Sequence, residues 1–109
     1  MKESLVIYTN NSEKYIGRLL DSVLEQIDEE TQELIIIDDL SEDNTVPIIV
    51  NKIGFNFENE KNYKFYINTT KTGKKNSIIK AKKIATGEFK FIINKKKRIK
   101  LGGQNDTNK

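Results

Sequence analysis
The sequence predicts an α/β protein, a three-layer α/β/α, Rossmann-like parallel sheet of about four strands. Three observations predict it. Short apolar runs alternate with stretches at one-helix-face spacing, in the order β-α-β-α-β-α-β. The segments between successive strands have the length of crossover helices, which is what parallel strands require. One run, Leu34-Ile35-Ile36-Ile37, is apolar without a break, as expected of a strand buried on both faces. The 109 residues fit one domain with one modest core.

The first strand is expected at Ser4 to Tyr8, closed by Thr9-Asn10-Asn11-Ser12, which is turn and cap chemistry. Tyr15, Ile16, Leu19, Leu20, Val23, Leu24 and Ile27 then recur on one helical face. The second strand, Glu33 to Asp39, runs into a loop rich in cap residues, Leu40 to Thr45. A second helix follows, with Pro47 in its first turn, Val46, Ile49, Val50 and Ile53 on its apolar side, and Gly54 as its stop. Tyr63 to Ile67 alternates like a strand. Residues 74–85 form a basic helix, with Ile78, Ala81, Ile84 and Ala85 on one side and Gly87 as its end. Phe89 to Ile93 is the last strand. We take residues 1–93 as the folded unit and 94–109 as a basic, disordered tail.

Composition narrows the chemistry. The chain has no cysteine and no histidine, so disulfides, thiolate or imidazole metal sites and Ser-His or Cys-His nucleophile pairs are excluded. Acid–base work is left to carboxylates, lysine and tyrosine. No apolar run approaches the length of a signal sequence or a membrane span, so a cytoplasmic protein is expected. Residues 1–70 carry 6 basic and 14 acidic residues, net −8, while 71–109 carry 13 and 2, net +11. Such a split suggests an anion-binding end or head-to-tail self-association; solvated charged faces are the plainer alternative.

In a parallel α/β sheet, ligands bind beyond the carboxyl ends of the strands. That rule selects four loops: Thr9–Ser12, Asp38–Ser41, Asn68–Lys74 and Asn94–Lys96. Two carboxylates, Asp38 and Asp39, end a buried strand, where a carboxylate can accept hydrogen bonds from a base or ribose. N-capping of the next helix by Asp39, Ser41 or Asp43 is the alternative. For Ser12, capping is the expectation. Lys71-Thr72-Gly73-Lys74-Lys75 opens a helix with a glycine and several cations, which suits phosphate, although it is not a P-loop. No GxGxxG follows the first strand, so a dinucleotide site is not expected. The basic cluster from Lys95 to Arg98 lacks interleaved aromatics, and the acidic body repels phosphate, so nucleic acid is not an expected partner.

Several ordered motifs resemble family 2 glycosyltransferases, which have a GT-A fold. The first strand and Thr-x-Asn turn of that family correspond to Leu5-Val6-Ile7-Tyr8-Thr9-Asn10-Asn11, with Tyr8 where proline is usual and Asn10 where tyrosine is frequent. Leu20-Asp21-Ser22-Val23-Leu24-Glu25-Gln26 resembles the family's first-helix pattern. Asp38-Asp39-Leu40-Ser41-Glu42-Asp43-Asn44-Thr45 resembles Asp-Asp-Gly-Ser-x-Asp-x-Thr, with Leu40 in place of glycine. Ala85-Thr86-Gly87-Glu88-Phe89 resembles the signature before the fourth strand. The resemblance covers residues 4–93 and implies a nucleotide pocket lined by Thr9 and Asn11. It implies that Asp39 contacts the base, usually uracil, and that Asp38 and Ser41 shape that loop. Gly73 matches the glycine opening the third helix, where Lys74 partly substitutes for a polar group that Ser77-Ile78-Ile79-Lys80 does not supply.

The resemblance also carries departures. After the fourth strand the family has an Asp-x-Asp motif holding Mg²⁺ or Mn²⁺ on the diphosphate, whereas this chain reads Asn94-Lys95-Lys96. The acceptor half and its catalytic base are not matched, and a truncated or frameshifted gene is one economical explanation. The expected function is therefore binding of a nucleotide-sugar such as a UDP-sugar, with transfer impaired. The alternative from a different class is a non-catalytic, self-associating module, with a homodimer as its product. A receiver-like domain is disfavoured, because its acidic pair would follow the first strand.

Overall fold
A computed structural model describes residues 1–54 and 62–92. Among them the elements are β1 (Glu3–Thr9), α1 (Ile16–Gln26), β2 (Gln32–Asp38), α2 (Thr45–Ile53), β3 (Tyr63–Ile67), α3 (Lys74–Ile84) and β4 (Glu88–Ile92). The expected alternation is present throughout. Ile93, the expected end of the last strand, and the tail from Asn94 lie outside the described residues, as do residues 55–61.

All strand pairs are parallel, in the order β3-β2-β1-β4. Val6 on β1 sits opposite Ile35 on β2 and Phe91 on β4, and Ile35 sits opposite Lys64 on β3. The chain thus steps outward from β1 to β3 and then crosses back to the far side of β1. The sheet's switch point therefore lies between β1 and β4, and a crevice is expected beyond the carboxyl ends there.

Side-chain alternation divides the core between two faces. Leu5, Ile7, Leu34, Ile36, Phe65 and Ile92 face α1 and α2, and pack on Ile16, Leu19, Leu20, Val23, Ile49 and Ile53. Val6, Ile35 and Ile37 face the other way, against Ala81 of α3, with Tyr66, Ile84, Phe89 and Phe91 at the margin. The second face is thinly covered, because only Ser77 and Ala81 of α3 are buried. Lysine stems complete the cover: Lys74, Lys80 and Lys82 hold their ammonium groups 5.2, 5.8 and 5.3 Å from the ring centroids of Phe91, Tyr66 and Phe89.

Two glycine expectations resolve differently. Gly54 does end α2, at φ 73°. Gly87 does not end α3, which closes two residues earlier with Ala85 already extended. Gly87 instead allows a close approach: a Cβ there would lie 2.6 Å from the Met1 carbonyl oxygen and 2.7 Å from the Glu3 nitrogen. Gly87 N–H donates to Ser4 Oγ at 2.9 Å, and Glu88 N–H to the Lys2 carbonyl at 2.9 Å. The glycine lets the chain enter β4 flat against β1.

The same corner holds a buried carboxylate. Glu33 is 1% exposed. Its Oε2 accepts from Ser4 Oγ (2.5 Å), Thr86 N–H (2.7 Å) and Thr86 Oγ1 (2.7 Å), and its Oε1 from Lys64 Nζ (2.8 Å). Burial alone would raise this carboxyl, but the bonds from Lys64, Ser4 and Thr86 outweigh it and bring it down to about 2. Glu33 thereby ties all four strands together at their amino ends, away from the candidate loops.

Candidate functional site
Three of the four expected loops meet at the carboxyl ends of β1, β2 and β3; the fourth, Asn94–Lys96, lies outside the described residues. The ladder continues one step past the strands, with Asp39 N–H on the Thr9 carbonyl (2.9 Å) and Asn68 N–H on the Asp38 carbonyl (2.8 Å). Asp38 and Asp39 are both buried but do not share a site, because adjacent residues on a strand point to opposite faces.

Asp38 builds its own loop. Its Oδ1 accepts from Thr9 Oγ1 (2.7 Å) and Ser41 Oγ (2.6 Å), and its Oδ2 from Ser41 N–H (2.8 Å). Thr9 is fully buried. Asn11, at φ 51°, donates its N–H to Ser41 Oγ (2.8 Å) and accepts from Glu42 N–H (2.8 Å). Leu40 stands at φ 58°, in the left-handed region, and its side chain is 40% exposed. That backbone conformation favours glycine, so leucine there is strained.

The capping expectations resolve differently: Asp43 does satisfy the first N–H of α2, whereas Asp39, Ser41 and Ser12 do not act as side-chain caps of α1 or α2. No side chain caps α1 or α2 at the N-cap position. Ser12 contributes its carbonyl, which accepts from Tyr15 and Ile16 N–H at 2.9 Å each, while its own N–H donates to Thr45 Oγ1 (2.7 Å). Asp43 accepts from Thr45 N–H (2.9 Å) and from Glu13 N–H (3.2 Å), joining the starts of the two helices. Burial opposes ionisation of Asp43, yet the bonds from Thr45 and Glu13 hold it below the usual carboxylate range.

Asp39 faces α3 and caps neither neighbouring helix. Its Oδ1 accepts from Asn68 Nδ2 (3.0 Å) and Thr72 N–H (2.9 Å), and its Oδ2 from Gly73 N–H (2.8 Å) and Tyr8 Oη (3.2 Å). Gly73, at φ 92°, turns the chain into α3 so that both amides aim at the carboxylate. Burial raises the Asp39 carboxyl; the bonds from Asn68, Thr72, Gly73 and Tyr8 more than reverse this. Tyr8 responds oppositely: burial, then the Asp39 charge and hydrogen bond, push its phenol up to about 12.

Beside Asp39, at the switch point, lies a cavity of about 230 Å³ lined by Tyr8, Asn10, Asn11, Ser12, Tyr15, Lys74 and Phe91. Asn10 is held there by its Nδ2, which donates to the Asp39 carbonyl at 2.8 Å. Of the residues expected to bind nucleotide, Asn11 and Lys74 line this cavity. Asp39 and Gly73 are bonded to one another beside it, and Thr9, Asp38 and Ser41 are engaged in the loop scaffold. Asn10 and Ser12, from the candidate loop Thr9–Ser12, also line the cavity, whereas Tyr8, Tyr15 and Phe91 were not expected there. Tyr15 read as a core position from its helical spacing and Phe91 as part of the last strand, and only the crossing of β4 to β1 brings them to one mouth.

Residues 4–95 match the family model for glycosyl transferase family 2. The chain belongs to that family. A curated relative is poly(ribitol-phosphate) beta-N-acetylglucosaminyltransferase TarS of Staphylococcus aureus, 35% identical over 97 residues. That alignment covers 85% of this chain but only 16% of TarS, so the chain spans about a sixth of its relative's length. Among solved structures, TarS 1–349 in complex with UDP matches with a TM-score of 0.72 at 33% identity, over 86% of this chain and 27% of that one. TarS 1–349 in complex with UDP-GlcNAc matches at 0.68 and 34%, over 84% and 26%. The mannosyltransferase PcManGT of Pyrobaculum calidifontis, in complex with GDP-Man and Mn²⁺, matches at 0.65 over 78% and 24%; at 21% identity it supports the fold alone.

A divalent metal is expected in this fold family. The residues present do not fit one. Among the described residues no group of three or more carboxylates is placed to hold an ion. At the position of the family's acidic motif the sequence offers Asn94, Lys95 and Lys96, and lysine ammonium groups do not ligate Mg²⁺ or Mn²⁺. Also among the described residues, no helix is long and apolar enough to cross a membrane.

Proposed function
We propose that this domain binds the nucleoside diphosphate of a nucleotide-sugar donor, a UDP-sugar in the first instance, in the cavity between the carboxyl ends of β1 and β4. The observation that carries the proposal is the cavity's position and lining. It sits at the switch point, has three aromatic walls (Tyr8, Tyr15 and Phe91), and ends at Lys74. Aromatic walls suit a planar base. The Lys74 ammonium can pair a diphosphate as a point charge. Binding of UDP and UDP-GlcNAc by a family relative that shares this part of the fold supports the same assignment.

We further propose that glycosyl transfer by this chain is impaired, because Asn94-Lys95-Lys96 replaces the motif that would neutralise the departing diphosphate with a metal. Isothermal titration with UDP tests the binding and the loss of metal dependence on which the second point rests. Saturable binding whose affinity is indifferent to added Mn²⁺, and weakened about tenfold in Lys74→Ala, is the expected result. Heat that appears only with Mn²⁺ would contradict the metal argument, and no heat at millimolar UDP would contradict the binding.

A second function is favoured by a separate feature. β3 and β4 are sheet edges among the described residues, and α3 presents a cavity of about 540 Å³ lined by Lys74, Lys75, Ile78, Ile79 and Lys82, with Ile79 43% exposed. This basic, apolar face and the acidic first 70 residues suit head-to-tail self-association. Salt-sensitive dimerisation without nucleotide binding would select that alternative.

A further inference from the structure
A carboxylate offers about four lone-pair positions. In Asp39 all four are occupied, two on each oxygen: Asn68 Nδ2 and Thr72 N–H on Oδ1, Gly73 N–H and Tyr8 Oη on Oδ2. A ligand that donates to Asp39 must therefore displace a donor already in place.

The four donors are not equally removable. Thr72 and Gly73 donate main-chain amides fixed by the first turn of α3, where Ser77 N–H bonds the Gly73 carbonyl (3.1 Å) and Asn76 Nδ2 bonds the Thr72 carbonyl (2.9 Å). Asn68 is 5% exposed and is tied by its own N–H to Asp38, by Nδ2 to Ser77 Oγ (3.0 Å) and by Oδ1 to Lys80 Nζ (3.1 Å). Moving any of these three disturbs α3 or the end of β3. Tyr8 differs in each respect. Its bond is the longest of the four at 3.2 Å, it comes from a half-buried side chain on β1, and its ring lines the cavity. The phenol has room to move, and a ligand entering that cavity approaches Asp39 from its side.

We propose that the Tyr8 phenol holds the one exchangeable position on Asp39, so that Tyr8 sets both the affinity and the base preference of the site. The inference rests on the nucleotide function proposed above and deepens it. The ligand group selected is a planar base with a ring N–H, such as the imide of a pyrimidine dione, which replaces the phenol O–H as the fourth donor. Each nucleotide that donates to Asp39 must first break the Tyr8–Asp39 bond, and it binds less tightly by that amount. Tyr8 occupies the position where the family usually has proline, a residue with no side-chain donor, so this restraint belongs to the present chain rather than to the family pattern.

The test compares UDP with N3-methyl-UDP, whose base has lost the ring N–H, on the wild-type chain and on Tyr8→Phe, which keeps the ring and loses the hydroxyl. Removing one long hydrogen bond to the Asp39 carboxylate that competes with the ligand should tighten UDP about tenfold in Tyr8→Phe. N3-methyl-UDP should bind the wild type at least tenfold more weakly than UDP and should gain nothing from the substitution. A general loosening of the cavity would raise both ligands alike, and that result overturns the proposal. So does UDP binding to Tyr8→Phe with unchanged or lower affinity, or equal binding of the two ligands to the wild type; in those cases nucleotide binding itself still stands. If UDP binds neither protein, the nucleotide function and the role of Tyr8 fall together.

Discussion
Replacing Glu33 with glutamine removes the charge at the centre of the clasp that joins the amino ends of the four strands. The carboxylate is 1% exposed and takes bonds from Ser4, Lys64 and Thr86. Its folded-state value of about 2, against 4.5 as the unperturbed reference, corresponds to about 3 kcal/mol of stability at neutral pH. Because the folded value is the lower one, this stability is fully present above pH 4.5 and is lost as pH falls through the interval toward 2. Glutamine keeps one acceptor oxygen but turns an NH₂ group toward donors, and it leaves Lys64 without its carboxylate. A cost of about 2–4 kcal/mol follows, a large part of the stability of a domain this size. Urea unfolding followed by far-ultraviolet circular dichroism at pH 7 measures it directly. Repeating the titration at steps down to pH 3 should show the wild type losing stability faster than Glu33→Gln, so that the two curves converge. A loss below about 1 kcal/mol at pH 7, or parallel pH curves for the two proteins, would refute the clasp as the source of this stability.

Gly87→Ala should cost about 2–4 kcal/mol in the same unfolding assay, since its Cβ would lie 2.6–2.7 Å from main-chain atoms of residues 1–3 that cannot swing aside. Leu40→Gly should raise stability by about 1 kcal/mol, seen as a higher thermal midpoint, because it relieves a left-handed leucine whose side chain is largely exposed. Asp38→Ala should destabilise by about 2–3 kcal/mol, because it strands buried Thr9 Oγ1 and the Ser41 N–H. It should also broaden the amide resonances of residues 39–41.

Much of the fold was legible because its signals are local. The unbroken run Leu34 to Ile37 announced a strand covered on both sides, and the helical spacing from Tyr15 to Ile27 announced α1. The parallel pairing followed from the length of the connections. What was not legible depends on contacts distant in sequence. Glu33 looked like an ordinary polar strand start, yet Thr86, 53 residues later, supplies two of its donors. Gly87 looked like a helix stop, whereas its requirement is set by the backbone of residues 1–3. At the candidate site, the residue pair Asp38-Asp39 was conspicuous, but their division between a loop scaffold and the start of α3 emerges only from strand alternation in three dimensions. Tyr8 registered only as a departure from a family pattern, and its bond to Asp39 gives that departure a physical meaning.

The measurement that bears most directly on the function is a titration of the ¹⁵N-labelled chain with UDP, with and without Mn²⁺. Saturable shifts confined to the amides around Tyr8 to Ser12, Asp39, Thr72 to Lys74 and Phe91, unchanged by the metal, are the expected result. Shifts absent at millimolar UDP, or clustered instead on the Ile78–Lys82 face of α3, would contradict it.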